Sequence, residues 1–152
     1  MSIQTDVQLV KTETSVEMKR VFSAPIAQVY QAWTDPEKMN KWFHPGSQMT
    51  STCSVDLRVG GRYTVVMHSP RGEFTVAGKY KEIVPEEKLV FSWQWQGDEE
   101  YEITQVTLLF KAVSETETEL TLQHGHFDTV EELDSHTEGW VGTYEQLADY
   151  LD

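Results

Sequence analysis

Two histidines sit two residues apart near the end of an alternating segment, at His124 and His126. On a β-strand that spacing puts both side chains on one face, the arrangement a metal-binding pair uses. A third ligand would have to come from far along the chain, from His68, His136 or Glu102. No spacing brings one of these close, so neither a metal nor a cofactor is expected. A histidine at that position could also act as a general base, because its unperturbed pKa is ~6.5. No carboxylate or nucleophile is placed beside it by sequence. Cys53 is the only cysteine and has no histidine spaced to activate it. There is no Gly-x-Ser-x-Gly, and Gly60-Gly61 opens a strand rather than a phosphate-cradling helix.

The second chemical resource is aromatic. Trp33, Trp42 and Phe43 fall on the inward faces of two short helices. Tyr63, Val65 and Met67 share a face of one strand, and Phe91, Trp93 and Trp95 a face of another. Phe110 and His124 point inward from the last two strands, and Trp140 and Tyr144 from a terminal helix. Each could be ordinary core. As a group they could line an apolar cavity with a few polar tips, the usual setting for a small hydrophobic or aromatic ligand. Gly139 and Gly142 lie within one turn of the terminal helix, where each costs ~1 kcal/mol relative to Ala. Close packing of the helix on the sheet, or a softened lid over a cavity, would account for them.

The elements that must position these residues follow from periodicity. Val16–Phe22 alternates as a first strand. Ser23 and Pro25 signal a helix carrying Ile26, Val29, Tyr30 and Trp33, and Asp35-Pro36 starts a second helix with Met39, Trp42 and Phe43. A run of hairpins follows from Gly60. Its inward sets are Tyr63/Val65/Met67, Phe74/Val76/Gly78/Tyr80, Leu89/Phe91/Trp93/Trp95, Val106/Leu108/Phe110 and Leu120/Leu122/His124/His126. An acidic stretch around Gly97 reads as a loop. Thr129–Glu132 and Ser135–Glu138 both fit the capping box, so two helix starts are expected. Trp140, Tyr144, Leu147 and Leu151 then form one stripe. The fold class predicted is α+β: a curved antiparallel sheet of about six or seven strands gripping a long C-terminal helix, with two short helices after the first strand.

That order resembles the START-like, or Bet v 1-like, helix-grip superfamily (SRPBCC). Within it the chain is similar to the branch named after the C-terminal domain of the Hsp90 ATPase activator. The matching segments include Phe22–Pro25, Ala32–Glu37 leading to Trp42-Phe43, Gly60–Tyr63, Gly78–Tyr80, Leu89–Trp93, Leu120–His124 and Gly139-Trp140. The resemblance covers residues 15–152 as one domain and leaves 1–14 as a tail or strand extension. It implies a cavity between sheet and helix, but no single activity, since relatives include ligand binders, lipid carriers, cyclases and co-chaperone domains.

Charge narrows the partners. Twelve bases against 25 acids give −13. Residues 98–152 hold Lys111 and fifteen acids, whereas residues 1–97 are nearly balanced. That excludes nucleic acid and anionic membranes, which need clustered Lys and Arg. The acidic half is a solvated face or a surface for a basic protein partner, and a homodimer is compatible with it. A lone thiol and an N-terminus without a basic, then apolar, leader point to the cytoplasm. The function expected is a binding protein for a hydrophobic or aromatic small molecule. A co-chaperone-type adaptor and a cyclase- or hydrolase-like enzyme using the same cavity are the alternatives.

Overall fold

In the computed structural model, which describes residues 7–97 and 101–152, an antiparallel sheet of eight strands packs against three helices. The chain runs β1 (Gln8–Lys11), β2 (Val16–Phe22), α1 (Ile26–Thr34), α2 (Pro36–Trp42), β3 (Thr50–Val55), β4 (Arg62–Ser69), β5 (Gly72–Val84), β6 (Lys88–Gln96), β7 (Thr104–Ala112), β8 (Thr118–Gly125) and α3 (Val130–Leu151). Strand order across the sheet is β1-β2-β8-β7-β6-β5-β4-β3. The helix-grip architecture is therefore the one expected, with eight strands where six or seven were expected. The acidic loop expected around Gly97 falls largely on residues 98–100, outside the described residues.

β1 and β3 are the edges of the sheet. β3 alternates Ser51, Cys53 and Val55 inward against exposed Thr50 and Thr52, so its apolar contrast is weak. It is recruited by β4 and by α2, where Asn40 Oδ1 accepts a hydrogen bond from the Cys53 amide at 2.7 Å. β1 is exposed along its length and pairs only with β2, and an ion pair from Lys11 to Asp134 ties it to α3.

Helix starts differ in an instructive way. Asp35 caps α2, its side chain accepting from the Glu37 amide at 3.0 Å. α1 begins after Pro25, not Ser23, and has no side-chain cap; pyrrolidine geometry alone sets its entry. Thr129 caps α3 through the Glu132 amide at 3.1 Å. The second start expected at Ser135–Glu138 lies inside α3, because Leu133, Thr137, Trp140, Tyr144 and Leu147 form one uninterrupted buried stripe across it. Packing overrides a local capping signal when the helix face is continuous.

The core sits between the concave face of the sheet and this stripe. Tyr144 is fully enclosed, and its hydroxyl shares its one proton between the backbone carbonyls of Met18 and Leu120, each at 3.3 Å, which pins α3 across β2 and β8. Trp42 Nε1 donates to Ala32 O at 3.0 Å and locks the α1–α2 corner. Of the inward residues expected on β5, Phe74 is instead 48% exposed, near the β4–β5 turn and opposite Met67. Among the described residues, no helix is long and apolar enough to cross a membrane.

Candidate functional site

The interior divides into a filled part and an open part. Trp33 and Trp42 meet edge to face with ring centroids 4.6 Å apart, and Phe43 packs on both. Tyr63 packs on Phe91 at 5.2 Å, and its hydroxyl donates to Ser92 O at 2.6 Å. What is left among these rings is a gap of about 10 Å³, barely one water. Val65 and Tyr144 are wholly buried, and Phe110, at 6% exposure, packs edge to face on Tyr30. These side chains, with Trp33, Trp42, Tyr63 and Phe91, are not among those that wall the hollow under α3.

The open part lies under the N-terminal half of α3. A hollow of about 170 Å³ is walled by Phe43, Met67, Trp93, Trp95 and Trp140. Five of the thirteen side chains proposed from sequence are thus brought to one place. The hollow exists because of what α3 lacks. A Cβ built on Gly139, which lines it, would have no heavy atom within 4 Å. Gly142 has the opposite role: a Cβ there would lie 2.2 Å from the Pro45 carbonyl oxygen. Gly142 lets the helix touch the loop after α2, and Gly139, three residues earlier, faces empty space. Close packing explains the first glycine. The partner is that loop rather than the sheet.

Behind the hollow, His124 is 1% exposed and its two ring nitrogens are both engaged. Trp140 Nε1 donates to His124 Nδ1 at 2.9 Å, and His124 Nε2 lies 2.7 Å from Thr104 Oγ1. An indole nitrogen can only donate, so Nδ1 must carry a lone pair and the proton must sit on Nε2. Thr104 Oγ1 then donates onward to Trp93 O at 3.3 Å. The chain of donors runs from α3 through His124 to β6, and each finds an acceptor. Burial holds His124 well below the ordinary histidine range, and His136 close by adds to the shift. His124 is neutral and structural in this geometry, with no nitrogen free to take a proton from a substrate.

His136 stands at the throat between the hollow and a wider groove. Its Nε2 accepts from Trp95 Nε1 at 2.8 Å, and its Nδ1 donates to Glu132 O at 2.7 Å. The same logic makes it neutral. Burial lowers its pKa, while the Glu132 carbonyl and the charge of Glu102 pull the other way. Two histidines therefore each hold a tryptophan by its indole N–H, and this fixes the orientation of two of the hollow's walls.

The histidine pair expected on one strand face is separated. β8 ends at Gly125, so alternation does not carry through to His126, which instead lies 2.7 Å from Thr14 Oγ1 across the β1–β2 connection. Among the described residues, no three His, Cys, Asp or Glu side chains converge to hold a metal. Thr104 was not singled out from sequence, and His136 was named there only as a possible third metal ligand, not as a wall of the cavity. Thr104 could have been found by parity, since it shares a face with Val106, Leu108 and Phe110. His136 was hidden inside an apparent capping box.

Outside the throat, a groove of about 800 Å³ runs between residues 101–104 and the start of α3. Glu102, Asp128 and Glu132 line it with Tyr101, and it shares Trp93, Trp95 and His136 with the hollow. Trp93 is 4% exposed, and its indole N–H finds no acceptor among the described residues.

Comparison with known proteins places this architecture. A family model described as Activator of Hsp90 ATPase homolog 1-like protein matches residues 23–152. A crystal structure from Nitrosomonas europaea is 26% identical, with a TM-score of 0.77, covering 93% of this chain and 96% of its own. One from Chromobacterium violaceum is 25% identical with the same TM-score of 0.77, covering 91% and 97%. The AHSA1 protein of Silicibacter pomeroyi, at 22% identity and TM-score 0.79 over 90% and 96%, shares the fold. No curated protein matches this chain.

Proposed function

The chain belongs to the Activator of Hsp90 ATPase homolog 1-like family, and from that premise we propose that it is a binding protein for a small hydrophobic or aromatic molecule. The observation that carries the reading is the hollow under Gly139. An apolar cavity of about 150 Å³ is large enough to take benzene, and this one has about 170 Å³, aromatic walls, a side open to solvent and three lining residues in common with the groove. A single ring fits the hollow, and a longer substituent extends past His136 into the groove. The walls are pre-set by the two indole–imidazole bonds, so little ordering is needed on binding.

Reaction chemistry has less support. The one general base that the sequence offered, His124, has both nitrogens occupied. A cytoplasmic location suits the half-buried lone thiol of Cys53, whose pKa burial pushes up to about 12, making it unreactive.

The test is calorimetric titration and thermal denaturation with single-ring aromatic compounds. A ligand at 100 times its Kd raises stability by ~2.7 kcal/mol. Gly139→Leu, which fills the hollow from an unobstructed helix position, should abolish that shift while the protein stays folded. If no ring compound shifts the transition, the binding reading fails. Co-precipitation of Hsp90 at low salt by the full chain would favour the adaptor alternative in its place.

A further inference from the structure

The hollow has few polar groups on its walls, and nearly all of them are already bonded. Trp95 and Trp140 give their indole N–H groups to His136 and His124. Thr143 Oγ1 donates to Gly139 O at 2.8 Å, and Ser135 is exposed to solvent. The buried exception is Trp93. It borders both the hollow and the groove, and its indole N–H is the donor without an acceptor among the described residues. Its surroundings explain the shortage. The rings of Trp140, His124, Trp95 and Phe43 pack around it at centroid distances of 5.0, 5.4, 5.7 and 6.3 Å. Both nitrogens of His124 are engaged elsewhere.

A buried donor without an acceptor has given up its bond to water and received nothing for it. Trp33 Nε1 is unpaired as well, but Trp33 borders only the gap of about 10 Å³, which holds one water at most. Trp93 borders room for a ring. The groove adds a sign. Glu102, Asp128 and Glu132 line it, and its described lining residues include no Lys or Arg, so a negatively charged acceptor meets repulsion there.

Resting on the binding reading above, we propose that the ligand is an aromatic molecule bearing a neutral oxygen acceptor of carbonyl type, and that Trp93 Nε1 donates to that oxygen. The ring occupies the hollow beneath Gly139. Trp93 is common to the hollow and the groove, so the acceptor sits on or next to the ring, where the two spaces meet. Trp93 is then the residue that separates such a ligand from a plain hydrocarbon of the same shape.

Acetophenone and isopropenylbenzene differ by C=O against C=CH2 and are otherwise nearly superimposable. Both are titrated by calorimetry into the full chain and into Trp93→Phe. The ratio of the two affinities cancels the change in wall shape, which both compounds feel. That ratio should fall about fivefold in the variant, the worth of one hydrogen bond. By proton NMR of the unsubstituted chain, the Trp93 indole proton should move downfield with the ketone and not with the hydrocarbon. Where Trp93→Phe does not fold, that shift decides alone. Benzoate, an acceptor with a charge, should bind more weakly than the ketone. An unchanged ratio, or an indole proton that responds alike to both compounds because it already bonds to the face of a neighbouring ring, overturns the acceptor and leaves the hollow as a binding site. Tightest binding of benzoate overturns its neutrality. Binding of none overturns this inference and the binding reading together.

Discussion

Around Trp33, Tyr63, Tyr80 and Phe91 the rings close on one another and leave about 10 Å³; around Trp93, Trp95 and Trp140 the rings leave about 170 Å³. Composition does not distinguish the two regions, since both are built from tryptophan and its neighbours on the same concave sheet. Backbone placement does. On the closed side, α1 and α2 bring their side chains down onto β4–β6, and Trp42 fixes the corner. On the open side, one turn of α3 is held against Pro45 by Gly142, and the preceding Gly139 leaves its share of the interface empty. The space is therefore a product of helix placement, with Gly142 setting the approach and Gly139 the opening.

The largest expected effect breaks the closed side. Trp42→Ala should lower unfolding free energy by ~3–5 kcal/mol, as large aromatic deletions from a filled core do, measured by urea denaturation. Next is the contact that sets the gap. Gly142→Ala gains helix propensity but drives a methyl into the Pro45 carbonyl, and the expected net is destabilisation of ~1–2 kcal/mol. An unchanged urea midpoint would mean that α3 does not need that approach.

The open side is distinguished by titration. His124 and His136 both have pKa values lowered in the fold, as does buried His44. Their unfolded counterparts bind protons from about pH 6.5 downward, and the folded ones do not. The stability they contribute is thus present above about pH 6.5 and is lost as pH falls through the folded values. The slope is up to ~1.4 kcal/mol per pH unit for each histidine. Urea midpoints at pH 7.5 and 5.5 should differ accordingly, and His124→Asn should flatten the dependence. The groups bonded to these rings, Thr104, Trp95 and Trp140, carry no titratable charge, and the charge of Glu102 favours protonation of His136. The smallest effect has the opposite sign. Gly139→Ala meets nothing and should stabilise by up to ~1 kcal/mol through helix propensity alone.

Period-two alternation made most of the sheet legible, and the Trp140–Leu147 stripe made α3 legible. β1 and β3 were not, because an edge strand that buries little carries little apolar contrast. Parity also placed thirteen side chains on inward faces without telling depth. Whether a ring plugs the core or borders a hollow depends on where a helix crosses it, and that is set by a contact such as Gly142–Pro45 between residues almost a hundred positions apart. Inward polar residues were the hardest to read. Arg20 shares a face with Met18 and Phe22, is 8% exposed, and lies with its guanidinium carbon 5.2 Å from the Phe22 ring centroid. His124 was legible as inward, but its neutrality follows from the indole of Trp140, which only the folded chain brings near.

The bond from Trp95 to His136 has a spectroscopic consequence. Of the five tryptophans, Trp33, Trp42, Trp93 and Trp140 are at most 4% exposed, and Trp95 alone is partly open to solvent. Collisional quenchers of intrinsic fluorescence will therefore sample Trp95 and little else. The molecule carries its own single-site reporter at the throat, and the contrast between anionic iodide and neutral acrylamide reads the local electrostatic potential there without any label.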